Sequence, residues 1–169
     1  MLVLAGGFGV GPIEVLVRAL WERVTGVQMV VVAGRNEALR ASLAAAAEGA
    51  RVPTRVLGFT REMHEWMALA SLVVTKPGGL TTSEALASGL PMVVANPIPG
   101  QETRNATMLY EEGAALSGEN PYTVGARVAG LLREPARLAR MAKAARSLGR
   151  PDAALTIADA WRAGIASRS

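Results

Sequence analysis

The chain has 169 residues, half of them hydrophobic and 19% charged, which suits one globular domain with a sizeable core and excludes a disordered chain. It has no cysteine and one histidine, His64, so disulfides, thiolate metal sites and a histidine zinc cluster are excluded. The net charge is +4, carried by sixteen arginines and two lysines against 14 acidic residues, and the excess falls late, with nine basic and three acidic side chains in residues 120–169.

The first apolar run, residues 2–5, reads as a strand and is followed at once by GGFGVG. This start has no basic leader, and its glycines interrupt it too early for a signal peptide. Behind Pro12, a good first-turn residue, Ile13, Leu16, Val17, Leu20 and Val24 recur at helical spacing. Further strands are predicted at residues 28–33, 54–57, 72–75, 92–95 and 114–116; most are continuously apolar, as strands covered on both faces are. Between them Met63, Trp66, Met67 and Ala70 form a second helical stripe, a core pattern. After Gly118 the strands stop. Helices are predicted at residues 122–132, 136–148 and 152–163, with Pro121, Pro135 and Pro151 at their starts, and the last carries Ala154, Ile157, Ala158 and Trp161 on one face. The fold class is therefore α/β: a single doubly wound, Rossmann-like parallel sheet with a C-terminal helical tail, one domain over residues 1–169. No apolar run approaches the ~20 residues of a membrane-spanning helix.

Ligands of such sheets sit at the carboxyl ends of the strands, where loops lead into helices. Three loops there have unusual composition. In Gly6-Gly7-Phe8-Gly9-Val10-Gly11-Pro12 the glycines allow backbone N–H groups to approach an anion. A tight strand-to-helix turn explains them equally well. Pro12 stands where a dinucleotide fingerprint needs its third glycine, and the second strand ends in Ala33-Gly34-Arg35-Asn36, without the acidic residue that would hold a ribose. A nicotinamide or flavin cofactor is thus disfavoured, as is NTP hydrolysis, since the P-loop Lys-Ser ending is missing.

The second loop, Lys76-Pro77-Gly78-Gly79-Leu80-Thr81-Thr82-Ser83-Glu84, runs into a helix with free N–H groups near Gly79, Leu80 and Thr81. A diphosphate fits there, with threonine hydroxyls donating and Lys76 adding charge. Glu84 has two readings: partner of Thr81 in a capping box, worth ~1 kcal/mol, or acceptor for the two hydroxyls of a ribose. The third loop, residues 96–105, fixes two prolines and a glycine before Gln101, Glu102 and Asn105, groups that suit sugar hydroxyls, although taken alone the loop reads better as a polar helix start. The basic tail reads as a solvated helical face, with contact to anionic lipid headgroups as the sharper alternative. Nucleic acid is disfavoured: two Phe and two Tyr offer little stacking surface, and no binding motif is present.

Taken in order, GGFG, GRN, GFTREMHEWM, KPGGLTTSEALASGLPMV, PIPGQETRNA and EEGAAL resemble the C-terminal domain of GT-B-fold glycosyltransferases of the monogalactosyldiacylglycerol synthase and diacylglycerol glucosyltransferase family. The superfamily includes the N-acetylglucosaminyltransferase that forms lipid II. The resemblance covers residues 2–116 and implies a role for each matching position. Phe59 and Thr60 would frame a uracil, Thr60 through its backbone. Gly79, Leu80 and Thr81 would bind the diphosphate, helped by Gly7, Gly9 and Lys76. Glu84 would hold the ribose, Gln101 and Glu102 would read the donor sugar, and Asn105 would support that corner. The Gln-Glu pair fits the glycolipid branch. His64 matches no functional position.

The resemblance further implies a UDP-sugar-binding domain of an inverting hexosyltransferase acting on diacylglycerol, with UDP-galactose or UDP-glucose as donor, no further cofactor and no metal. The alternatives are a UDP-N-acetylglucosamine-dependent transferase of lipid II type, and a non-catalytic nucleotide-binding subunit. The family's acceptor domain, with the expected catalytic base, has no counterpart in these residues, so the chain alone is expected to transfer no sugar. The full enzyme is expected in the cytoplasm, peripheral to the inner face of the membrane. The last helix of such enzymes packs against the acceptor domain; here Ile157 and Trp161 are expected either to be exposed or to cover a homodimer contact.

Overall fold

The computed structural model describes residues 1–6 and 12–166, with side chains to Gly164. Six strands, β1 (Leu2–Leu4), β2 (Met29–Val32), β3 (Thr54–Leu57), β4 (Val73–Thr75), β5 (Met92–Ala95) and β6 (Ala115–Gly118), form one sheet in the order β3-β2-β1-β4-β5-β6. Every pairing is parallel. The order reverses between β1 and β4, and in sheets of this kind ligands bind at such a reversal, beyond the carboxyl ends of the strands.

The strands form because successive side chains feed two separate cores. Val3, Val31, Val74 and Val93 face one way, against α1 (Ile13–Arg23), α2 (Glu37–Ala47) and α6 (Pro121–Leu132). Leu2, Leu4, Val73 and Met92 face the other, against α3 (Met63–Leu69), α4 (Gly79–Ala87), α5 (Gln101–Glu111) and α7 (Pro135–Leu148). Both faces are covered, which is why these runs read as uniformly apolar.

The single parallel sheet with its helical tail is the architecture expected. Several element ends shift by one to three residues, and three details carry a physical reason. The α2 helix follows no apolar stripe, since Leu43 is its one fully buried residue; Asn36 starts it, accepting a hydrogen bond from the Leu39 N–H at 2.9 Å. The sixth strand begins one residue later than expected and runs to Gly118, because the Ala114 N–H closes the end of α5 on the Leu109 carbonyl at 2.9 Å. Pro121 and Pro135 open their helices, whereas Pro151 lies in a turn before α8 (Ala153–Ala166). Of the described α8 side chains only Ala158 is half-buried and the rest are exposed, Ile157 and Trp161 at 69% each. No helix among the described residues is long and apolar enough to cross a membrane.

Candidate functional site

The turn that opens α4 begins where β4 leaves the sheet. Gly78 is extended at φ −66°, ψ 146°, and serves as the N-cap without any side-chain cap. The first intrahelical bond runs from the Thr82 N–H to the Gly78 carbonyl at 2.9 Å. The N–H groups of Gly79, Leu80 and Thr81 therefore precede the hydrogen-bonded ladder and point out of the helix start, the arrangement that attracts an anion. This also removes the capping-box reading of Glu84. Thr81 is the third residue of the helix and not its cap, so Glu84 lies a full turn inside, free of that role.

Beside this helix start lies a cavity of about 230 Å³. Its floor is the crest of the sheet, Leu4 and Val32, with the backbones of Gly6 and Gly34 above them. One wall is the end of β3 and the start of α3, with Phe59, Thr60 and Met63; the other is α4, with Leu80, Thr81 and Glu84. Five expected site residues, Phe59, Thr60, Leu80, Thr81 and Glu84, thus converge on one volume. The lining residues Leu4, Val32 and Met63 read as core in the sequence; their place at two strand ends and at the start of α3 is what brings them to the cavity. The Thr60 hydroxyl accepts from the Glu62 N–H at 3.1 Å and shapes the turn into α3. Phe59 is 58% exposed and Leu80 83%, an unusual exposure for two large apolar side chains on one rim.

The α5 residues form a second wall around Gly79. A Cβ built on Gly79 would stand 3.8 Å from the Gln101 Nε2, so the Gln101 amide overlooks the turn that opens α4. The Asn105 Nδ2 donates to the Pro77 carbonyl at 2.8 Å, and the Glu102 Oε2 accepts from the Ile98 N–H at 2.8 Å. Glu102 thereby stiffens its own loop, which Gly100 enters at φ 107°. Lys76 does not line the cavity beside α4. It borders a space of about 20 Å³ with Pro12, Asn96 and Pro121, on the other side of the strand crest. Gly7 and Gly9 lie outside the described residues. His64 is exposed beside Glu65 and faces none of this.

The model of the family of glycosyl transferases, group 1, matches residues 13–148. The chain belongs to this family. The domain is 36% identical over 160 residues to the processive diacylglycerol beta-glucosyltransferases of Bacillus mycoides (strain KBAB4) and Bacillus cereus (strain AH187). The match covers 94% of the chain but only 41% of either relative. Among solved structures, the glycosyltransferase domain resembles Acinetobacter baumannii MurG with a TM-score of 0.76 at 23% identity, over 94% of this chain and 48% of that one. It also resembles Anabaena HepE in complex with UDP-glucose, with a TM-score of 0.64 at 19% identity, over 87% and 43% of the two chains. At such identities the structural likeness speaks for the fold alone.

Proposed function

We propose that this glycosyltransferase domain binds a UDP-hexose, UDP-glucose or UDP-galactose, for inverting transfer to diacylglycerol. The observation that carries this reading is the convergence of an uncapped helix start, Glu84 and the Phe59–Thr60 turn on one cavity. The diphosphate would accept hydrogen bonds from the N–H groups of residues 79–81. Glu84 would accept from the ribose hydroxyls, and the uracil would lie against Phe59 and the Thr60 backbone. The sugar would then extend towards Gln101 and Glu102. The names of the 36%-identical relatives favour glucose and a diacylglycerol acceptor. A donor complex on the same fold, UDP-glucose in HepE, supports the choice of nucleotide.

In the reaction, the acceptor hydroxyl attacks the anomeric carbon from the face opposite the UDP. A base on a further domain takes the hydroxyl proton, and the bond to the diphosphate oxygen breaks. The charge that develops on the leaving diphosphate is stabilised by the start of α4. No base is assigned to residues of this chain, so the domain alone binds donor and transfers nothing. An acceptor of this kind would bring the complete enzyme to a membrane surface, with the cytoplasmic face as the one expected.

Titration calorimetry with UDP tests the reading. Heat of binding that is lost on Glu84→Ala is expected; no heat at millimolar UDP, or no effect of that substitution, overturns it. The runner-up, an enzyme of lipid II type, predicts tighter binding of UDP-N-acetylglucosamine than of UDP-glucose when the two are titrated separately.

A further inference from the structure

One charged group beside the cavity has no part in donor binding as proposed. Arg35 places its guanidinium carbon 5.2 Å from the centre of the Phe59 ring. The pairing comes from the sheet. Val32 of β2 is in register with Leu57 of β3, and the Ala33 N–H extends the ladder to the Leu57 carbonyl at 2.8 Å. The two chains therefore leave the sheet side by side. Gly34, at φ 66°, then turns the first of them, and Asn36 is fixed as the cap of α2. Arg35 is held between these two anchors, next to Phe59. Phe59 lines the cavity and Arg35 does not, so the guanidinium contacts the ring without itself lining the ligand volume.

We propose that Arg35 is a positioning residue for the nucleobase: stacked on Phe59, it holds the ring as a fixed wall for a pyrimidine in the cavity. Without it, an aromatic side chain exposed at 58% samples several rotamers, and a base binding there must first order the ring. A guanidinium over an aromatic face is attracted by the ring quadrupole, and its planar form stacks where an ammonium group does not. The inference rests on the UDP-binding reading and adds to it a group that acts on the base alone. It separates Arg35 from a phosphate contact, the usual expectation for an arginine beside a nucleotide.

The test titrates the 169-residue chain with UDP, UMP and inorganic pyrophosphate, comparing wild type with Arg35→Ala, Arg35→Lys and Phe59→Leu. Arg35→Ala is expected to weaken UDP and UMP alike, by about two- to fivefold, the effect of losing one exposed cation–π contact. Pyrophosphate binding stays unchanged, Arg35→Lys recovers only part of the loss, and adding Arg35→Ala to Phe59→Leu costs nothing more. Saturation-transfer NMR is expected to show the uracil H5 and H6 signals falling relative to the ribose signals. An equal loss for pyrophosphate, an undiminished effect in the Phe59→Leu background, or no change in UDP affinity overturns the assignment of Arg35. Failure of the wild-type chain to bind UDP overturns the underlying reading as well, so the two failures are distinguishable.

Discussion

The side-chain amide of Asn105 donates to the carbonyl of Pro77 across 2.8 Å, joining α5 to the turn that opens α4. Two loops that leave adjacent strands are thereby locked into one corner. Replacing Asn105 with Leu leaves a part-buried carbonyl without its partner, a loss of about 1–3 kcal/mol. The expected outcome is a lower melting temperature together with weaker UDP binding. A variant that melts early but binds UDP as wild type does would show that the corner stabilises the fold without organising the site.

Glu84→Gln is expected to leave the melting temperature unchanged, because Glu84 caps nothing. The same substitution removes a charged acceptor from the proposed ribose contact, worth about 1.5–3 kcal/mol. Its imprint is on discrimination. The wild-type chain is expected to prefer UDP to 2′-deoxy-UDP by calorimetry, and the variant to bind the two more nearly alike.

Gly149, just past α7, lies against the backbone of α4. A Cβ there would collide with the Leu86 carbonyl oxygen and stand 2.9 Å from its carbon. Neither is a flexible side-chain tip that could swing aside, so Gly149→Ala is expected to cost about 1–3 kcal/mol in urea denaturation. Gly79→Ala is the control. Its Cβ would lie 3.8 Å from Gln101, an ordinary contact, and stability is expected to hold while any change in UDP affinity reports on the turn proposed to bind the diphosphate.

Trp161 and Ile157 contribute little to the core of this domain, being exposed at 69% each. Trp161→Ser is expected to change the unfolding free energy by less than about 0.5 kcal/mol. Sedimentation at rising concentration completes the measurement. Self-association that disappears in the variant would assign this helix face to a contact between copies.

Much of this architecture was legible in the chain because the strands are buried on both faces. Val31, Val74 and Val93 pack to one side and Leu4, Met92 and Val94 to the other, so uniformly apolar runs located the sheet. The α2 helix escaped the same reasoning, since an alanine-rich segment with only Leu43 buried has no stripe to detect. For Glu84, composition left capping and ligand binding in balance; the actual helix start at Gly79 decided against capping. Leu4, Val32 and Met63 could not be told from core, because a wall of a cavity and a wall of a core have the same chemistry. The Arg35–Phe59 stack was hidden for another reason. It joins residues 24 positions apart, and only the β2–β3 register makes them neighbours.

The strand order has a consequence for how a nucleotide sugar would be read. Phe59 and Thr60 follow β3, in the half of the sheet made by β1, β2 and β3, whereas the turn that opens α4 and Gln101 follow β4 and β5 in the other half. A donor lying across the crest would present its base to one half and its phosphates and hexose to the other. Nucleobase choice and sugar choice then reside on separate, independently replaceable segments. A chimera exchanging residues beyond Lys76 between relatives should change the preferred sugar while keeping the same nucleotide.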